Sequence, residues 1–121
     1  INRDKIIKNL RKNIKIKKYL SFIKASYHVK ASWFGIPILL SKKINRNLFL
    51  KKIEKFGVET RPIISGNFLK QPAIKKYKLN KNSKFKNSDI VNNHGFFIGL
   101  PTSSISDKNI KKLVGAFEKS L

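Results

Sequence analysis

Residues Asn45–Ile64 read NRNLFLKKIEKFGVETRPII. Phe49, Leu50, Ile53 and Phe56 recur at helical spacing, so the first half predicts a helix with one apolar face. Asn45 or Asn47 can cap its start, and Gly57 can take the left-handed stop. Val58–Ile64 then alternates as a strand would, up to the bend opened by Gly66. A helix that turns on a glycine into a strand, in a chain of 121 residues, already points to a mixed fold built on a single core.

The flanks extend that pattern. Upstream, Ala31–Ser41 (ASWFGIPILLS) is a nearly continuous apolar run and reads as a strand buried on both faces or nearly so. Pro37 has no N–H for a ladder, which places this strand at an edge or a bulge. Further upstream, Asp4–Ala25 carries Ile6, Ile7, Leu10, Ile14, Tyr19, Leu20 and Ile23 with no Pro or Gly among them. It predicts one long amphipathic helix whose narrow apolar face needs a partner, expected outside this chain. Downstream, Lys75–Ser88 is rich in Lys and Asn and reads as an exposed loop. Gly95–Leu100 (GFFIGL) is a further strand, stopped by Pro101. Ser104 or Ser106 then caps a last helix with Ile110, Leu113, Val114, Phe117 and Leu121 on one face. The predicted fold class is α+β, a small two-layer sandwich. Its antiparallel sheet would have about three strands, with helices on one face and the long N-terminal helix added.

Composition excludes several functions. There is no cysteine, so disulfides and thiolate metal sites are out, and a reducing compartment is the default expectation. No apolar run approaches a membrane span, and the charged start INRDKIIKNLRKN is not a signal peptide. The chain begins with Ile rather than Met and is expected to be a fragment. The net charge of +22 can mark a polyanion surface or a lysine-biased composition. Bias is favoured: the lysines are spread along the chain, arginine occurs only at Arg3, Arg11, Arg46 and Arg61, and no RNP, zinc-finger or KH pattern is present. His28 and His94 are too far apart, with too few carboxylates, to suggest a metal site. Neither spacing of a Gly-rich phosphate loop occurs. Ser65, His94 and Asp89 could be drawn as a hydrolase triad, but no nucleophile elbow supports it.

Three segments taken together say more: SWFGIPI at 32–38, GVETRPIISGNFLKQPA at 57–73 and HGFFIGLP at 94–101. In this order and spacing they resemble the C-terminal domain of the DegT/StrS family of pyridoxal-phosphate-dependent sugar aminotransferases. The likeness is to the lipopolysaccharide-biosynthesis branch, which includes the CDP-4-keto-6-deoxyglucose 3-dehydrase type. The resemblance implies a fold-type I enzyme whose small C-terminal domain this chain would be. Residues 1–25 would form a linking helix from a large domain, and 26–121 the small domain itself. Pyridoxal phosphate would be bound by the large domain, so no catalytic or cofactor-binding residue is expected here, and no metal. The whole enzyme would be a cytoplasmic homodimer that passes an amino group, from glutamate, to a nucleotide-linked keto-sugar for surface polysaccharide synthesis. The alternative within the family is dehydration at the sugar's C3. The alternative from another class is a basic nucleic-acid-binding module, which the resemblance disfavours.

The expected substrate-binding residues each have a second reading. Arg61, held extended by Pro62, offers a guanidinium fork to a phosphate or pairs with Glu54 or Glu59. Asn67, beside Gly66, and Gln71, before Pro72, reach for the sugar or serve the bend. His94 contacts the nucleotide or is a solvated loop residue. Trp33 and Phe34 line the site or fill the core. His28 matches no motif and is read as surface.

Overall fold

The computed structural model describes residues 2–77 and 84–121. Helix α1 spans Asn2–Lys12 and the short α2 Ile14–Lys17; strand β1 is Leu20–Phe22 and β2 Gly35–Leu40; helix α3 is Arg46–Lys55 and strand β3 Thr60–Arg61. Two 3-10 turns, Phe68–Lys70 and Pro72–Lys76, precede helix α4 (Lys86–His94), strand β4 (Gly95–Gly99) and helix α5 (Asp107–Ser120). The four strands lie in the order β1-β2-β4-β3 and every neighbouring pair is antiparallel. The α+β class therefore holds, with one more strand than the pattern suggested.

Alternation along the strands builds the core. In β2 the side chains of Ile36, Ile38 and Leu40 are buried, and in β4 those of Phe96 and Ile98. Facing them are Phe49 and Ile53 of α3 and Ile110, Ala116 and Phe117 of α5, all in one cluster. The Phe49 ring sits 5.6 Å from that of Phe96 and 6.1 Å from that of Phe117, at tilted angles that suit aromatic quadrupoles. Helix α3 begins where the Asn45 side chain accepts from Leu48 N at 3.1 Å. It ends at Gly57, φ +79°, where Gly57 N donates to Glu54 O at 2.9 Å and Val58 N to Ile53 O at 3.4 Å. That crossed pair is a Schellman stop, which needs a residue able to take a positive φ. Ser106 caps α5 by accepting from Asn109 N at 3.3 Å.

The N-terminal segment departs from the single helix expected over 4–25. Asn13 interrupts it: its backbone N–H still bonds Leu10 O, while its side chain accepts from Ile16 N at 3.3 Å and restarts the chain as α2. The residues after α2 form β1, with Leu20 opposite Leu40 and Phe22 opposite Ile38. The apolar face of α1 also has its partner within this chain. Ile6, Ile7 and Leu10 are buried in the common core, and Lys5 pairs with Asp107 of α5 at 2.7 Å.

Three smaller expectations also change. The strand read over 58–64 pairs only at Thr60 and Arg61, because Pro62 can donate no further ladder bond. Strand β2 is interior rather than an edge. Pro37 is tolerated because β1 has ended beside it; the Pro37 carbonyl accepts from Ile23 N, one residue past β1. The loop read over 75–88 lies partly outside the described residues at 78–83, and its end is the first turn of α4. The last turn of α4 lies on the sheet face away from α3 and α5. A Cβ at Gly95, in phase with the outward Phe97, would strike Val91 O and come within 2.9 Å of Ile63 Cδ1.

Candidate functional site

The outward face of the sheet near β3 carries the candidate site. Phe97 of β4 lies opposite Arg61 on one side and Pro37 on the other. Its ring runs over Gly35, where a Cβ would be 2.8 Å from Phe97 Cδ2. It meets the Phe34 ring edge-on at 5.6 Å. Trp33, Ile63 and Ile64 complete an apolar depression of about 280 Å³. A second depression, of about 510 Å³, continues from Phe34 and Phe97 to Arg61 and Glu59. Phe34 is 69% exposed and Ile64 84% exposed, so this aromatic shelf is open to a ligand or to another protein surface.

Trp33, Phe34 and Arg61 are thus brought together around Phe97. Arg61 is exposed and ion-pairs with Glu59. That pairing is one of the two partners its alternative reading named, and it leaves the guanidinium at the rim of the depression. Trp33 packs partly against the core, and its carbonyl accepts from Arg3 Nη1 at 2.8 Å.

The other three residues are placed differently. Asn67 is buried, 6% exposed. Its Oδ1 accepts from Leu69 N at 3.0 Å and starts the first 3-10 turn, while its Nδ2 donates to Asp89 Oδ1 at 2.9 Å. Gln71 donates from Nε2 to the Ser65 carbonyl at 3.0 Å, closing the bend on itself. His94 is the last residue of α4; its Nδ1 is buried and has no hydrogen-bond partner among the described residues. Asn67, Gln71 and His94 line neither depression.

The bend is clamped to α4. Lys70 Nζ reaches Asp89 Oδ1 at 2.7 Å, and Asn92 Oδ1 accepts from Asn67 N at 3.4 Å. The hydrogen bond from Lys70, then that from Asn67, hold the Asp89 carboxyl below its ordinary value. Asp89 is therefore spent on the bend, and among the described residues no hydrogen bond joins it to His94 or Ser65, which leaves the paper triad without geometry. Among the described residues no group of His, Asp and Glu could hold a metal ion. The lysine side chains described are all exposed, and the aromatic depressions contain no lysine and no carboxylate but Glu59. These residues do not make a cradle for pyridoxal phosphate.

Sequence reasoning missed Phe97, Ile63, Ile64 and Asn92, and it named Asp89 only for a triad rather than for its bonds to Asn67 and Lys70. Phe97 was recoverable from GFFIGL, since adjacent strand residues face opposite ways and only one of Phe96 and Phe97 can enter the core. The clamp residues lie in α4, where the sequence showed only a polar stretch.

The site is thus an aromatic shelf with an arginine at its rim, on a four-stranded antiparallel sheet backed by helices. Comparison with known proteins gives the class. The chain is 32% identical over 93 residues to a GDP-4-keto-6-deoxy-D-mannose 3-dehydratase of Yersinia pseudotuberculosis, covering 74% of this chain and 23% of that protein. It is 27% identical over 103 residues to the lipopolysaccharide biosynthesis protein RfbH of Salmonella typhimurium, covering 84% and 23%. Among solved structures, the E. coli GDP-4-keto-6-deoxy-D-mannose-3-dehydratase with bound hydrated PLP superposes with a TM-score of 0.76 at 25% identity, over 96% of this chain and 30% of that one. No family model matches the chain. The chain belongs to the C-terminal part of the DegT/StrS family of pyridoxal-phosphate enzymes, in the branch of the GDP-4-keto-6-deoxymannose 3-dehydratases and RfbH. It spans about a quarter of the length of the curated relatives it matches.

Proposed function

We propose that this chain is the small domain of a pyridoxal-phosphate-dependent enzyme that removes the C3 oxygen from a nucleotide-linked 4-keto-6-deoxy sugar. One observation carries the choice over sugar transamination: the curated relatives that name a reaction name 3-dehydration. In this reading the dehydratase alternative displaces the aminotransferase reading. The cofactor supplies an electron sink, and a large domain of the same enzyme holds it. Glutamate provides the amino group and the two electrons that reductive loss of the C3 oxygen needs, leaving as 2-oxoglutarate, while the C3 oxygen leaves as water and the nitrogen as ammonia. Two copies form the working enzyme, and surface polysaccharide synthesis in the cytoplasm is its setting. Residues 1–25 lead in from the large domain and 26–121 form the small domain, with α1 and β1 woven into the small domain's core.

Within this chain the work is positioning. Arg61 presents its fork to a phosphate of the nucleotide sugar, and Trp33 and Phe34 form the apolar wall beside it. Asn67 and Gln71 act one step back by fixing the bend that follows Arg61. His94, with an unspent ring nitrogen, stands at the junction of α4 and β4. The test is to join the chain to its large domain and supply a GDP-linked 4-keto-6-deoxy sugar with glutamate. Mass spectrometry should find a keto-sugar that has lost its C3 oxygen. An amino-sugar that keeps this oxygen would restore the aminotransferase reading.

A further inference from the structure

The two edges of the sheet differ in charge. Beyond β1, at the edge opposite Arg61, a groove of about 540 Å³ lies between α1, α2 and the chain leaving β1. Lys8, Arg11 and Lys12 face it from α1, Lys17 from α2 and Lys24 from beyond β1; Leu20 and Phe22 complete its lining. The three α1 residues stand at i, i+3 and i+4, which places them on one side of the helix. Among the described residues no carboxylate lines the groove.

Arg11 is fixed in place: its Nη2 donates to the Ile23 carbonyl at 2.7 Å. A guanidinium held by one nitrogen keeps a fixed place in the lining and loses less freedom when an anion arrives.

Lysine bias does not account for this concentration, because bias would load other depressions equally. A larger one, between β4 and α5, contains Lys112 with Glu59. The one beside Asn13 contains Lys12 and Lys111 with Glu118. The aromatic depression contains no cation at all. Five cations around one concavity repel one another and raise its potential, and a compact polyanion relieves that repulsion.

We propose that this groove binds a ligand bearing several linked phosphates. Its cations neutralise the phosphates, and Phe22 offers an apolar contact to whatever the phosphates carry. The volume falls within the roughly 300–1,000 Å³ typical of small-ligand sites. Two sources share this chemistry, a nucleoside triphosphate and an inorganic polyphosphate. The proposal uses none of the residues placed at the aromatic shelf; its lining lies within residues 1–25, the segment that leads in from the large domain in the dehydratase reading.

Calorimetric titration of the 121-residue chain with sodium tripolyphosphate, and separately with ATP, tests it. Two triple variants carry equal loss of charge: Lys8→Gln/Lys12→Gln/Lys24→Gln in the groove, and Lys51→Gln/Lys52→Gln/Lys55→Gln on α3. All six positions are exposed, so both variants keep the fold, which a thermal melt verifies. The groove triple should weaken binding by about tenfold or more, the scale of losing charge-assisted contacts, and the α3 triple by less than about threefold. Equal losses from both triples, or no saturable binding of either probe, would overturn the proposal. ATP binding more tightly than tripolyphosphate, with the difference removed by Phe22→Ala, identifies the nucleotide as the source; equal affinities identify the phosphate chain.

Discussion

Glycines 57 and 95 show how one residue type serves two physical needs. Gly57 has φ +79° and open space around its missing side chain, so only backbone conformation requires it. Gly95 has an ordinary extended backbone, φ −86° and ψ 143°, but α4 and Ile63 occupy the place of its Cβ. Gly57→Ala should therefore cost about 1 kcal/mol, the scale of left-handed strain. Gly95→Ala should cost about 1–3 kcal/mol through overpacking and should loosen α4 as well. Urea denaturation with amide exchange read at α4 separates the two. Arg61 requires a different measurement. Its pair with Glu59 is exposed on both sides, and such pairs contribute roughly 0–1 kcal/mol. In the full-length enzyme, Arg61→Lys should leave the melting temperature nearly unchanged. It should lower kcat/KM by about 1–3 kcal/mol of lost bidentate contact with phosphate. Steady-state kinetics beside a thermal scan checks both halves, and unchanged kcat/KM would return Arg61 to a surface role.

Among the elements, α1 and α4 carry the instructive differences. Leu10 is 0% exposed, so Leu10→Ala should destabilise the isolated chain by about 2–5 kcal/mol, read from the urea midpoint. A detachable helix would show almost no change. The clamp between α4 and the bend predicts a pH signature. The folded-state carboxyl of Asp89 sits below its ordinary value because Lys70 and Asn67 bond its charged form. Its stabilising contribution is thus complete above the unfolded carboxylate pKa and is lost as pH falls through the folded one. The gap in melting temperature between wild type and Asp89→Asn should be present at about pH 6 and close as the solution is acidified past the folded-state value. A gap unchanged down to that value would mean that the charge plays no part in the clamp. These elements also mark what the sequence made legible. β2, α3, β4 and α5 were readable because each carries its apolar run or period over enough residues and is marked at one end by a Pro, Gly or Ser. β1 was not, since LSF is three residues long and its Leu20 was taken into the helical pattern running in from Ile6. α4 was hidden because KNSDIVNNH buries no side chain fully and so has almost no apolar period. At the candidate site, Arg61 and Phe34 were legible from their motifs. The inward turn of Asn67 was not, because its partners Asp89 and Asn92 lie 22 and 25 residues away.

For the molecule as a whole, charge and chain order matter most. Twenty-eight basic residues against six acidic ones make the folded state repel itself. Sodium chloride raised from roughly 0.02 to 0.5 M shortens the Debye length several-fold and should raise the melting temperature; a flat response would show the charges already dispersed enough not to matter. Chain order has a further effect. The side of the core that shelters Ile6 and Leu10 includes α5: Lys5 meets Asp107 and Asn13 bonds Glu118, 105 residues further on. During translation the apolar stripe of α1 therefore emerges from the ribosome long before Phe117 exists to cover it. At roughly 5–20 residues per second, that stripe waits for several seconds at least. Over that interval the nascent chain is a client for any factor that shields exposed isoleucine and leucine, and a rare-codon pause placed before α5 would lengthen the wait without changing a single residue of the finished protein.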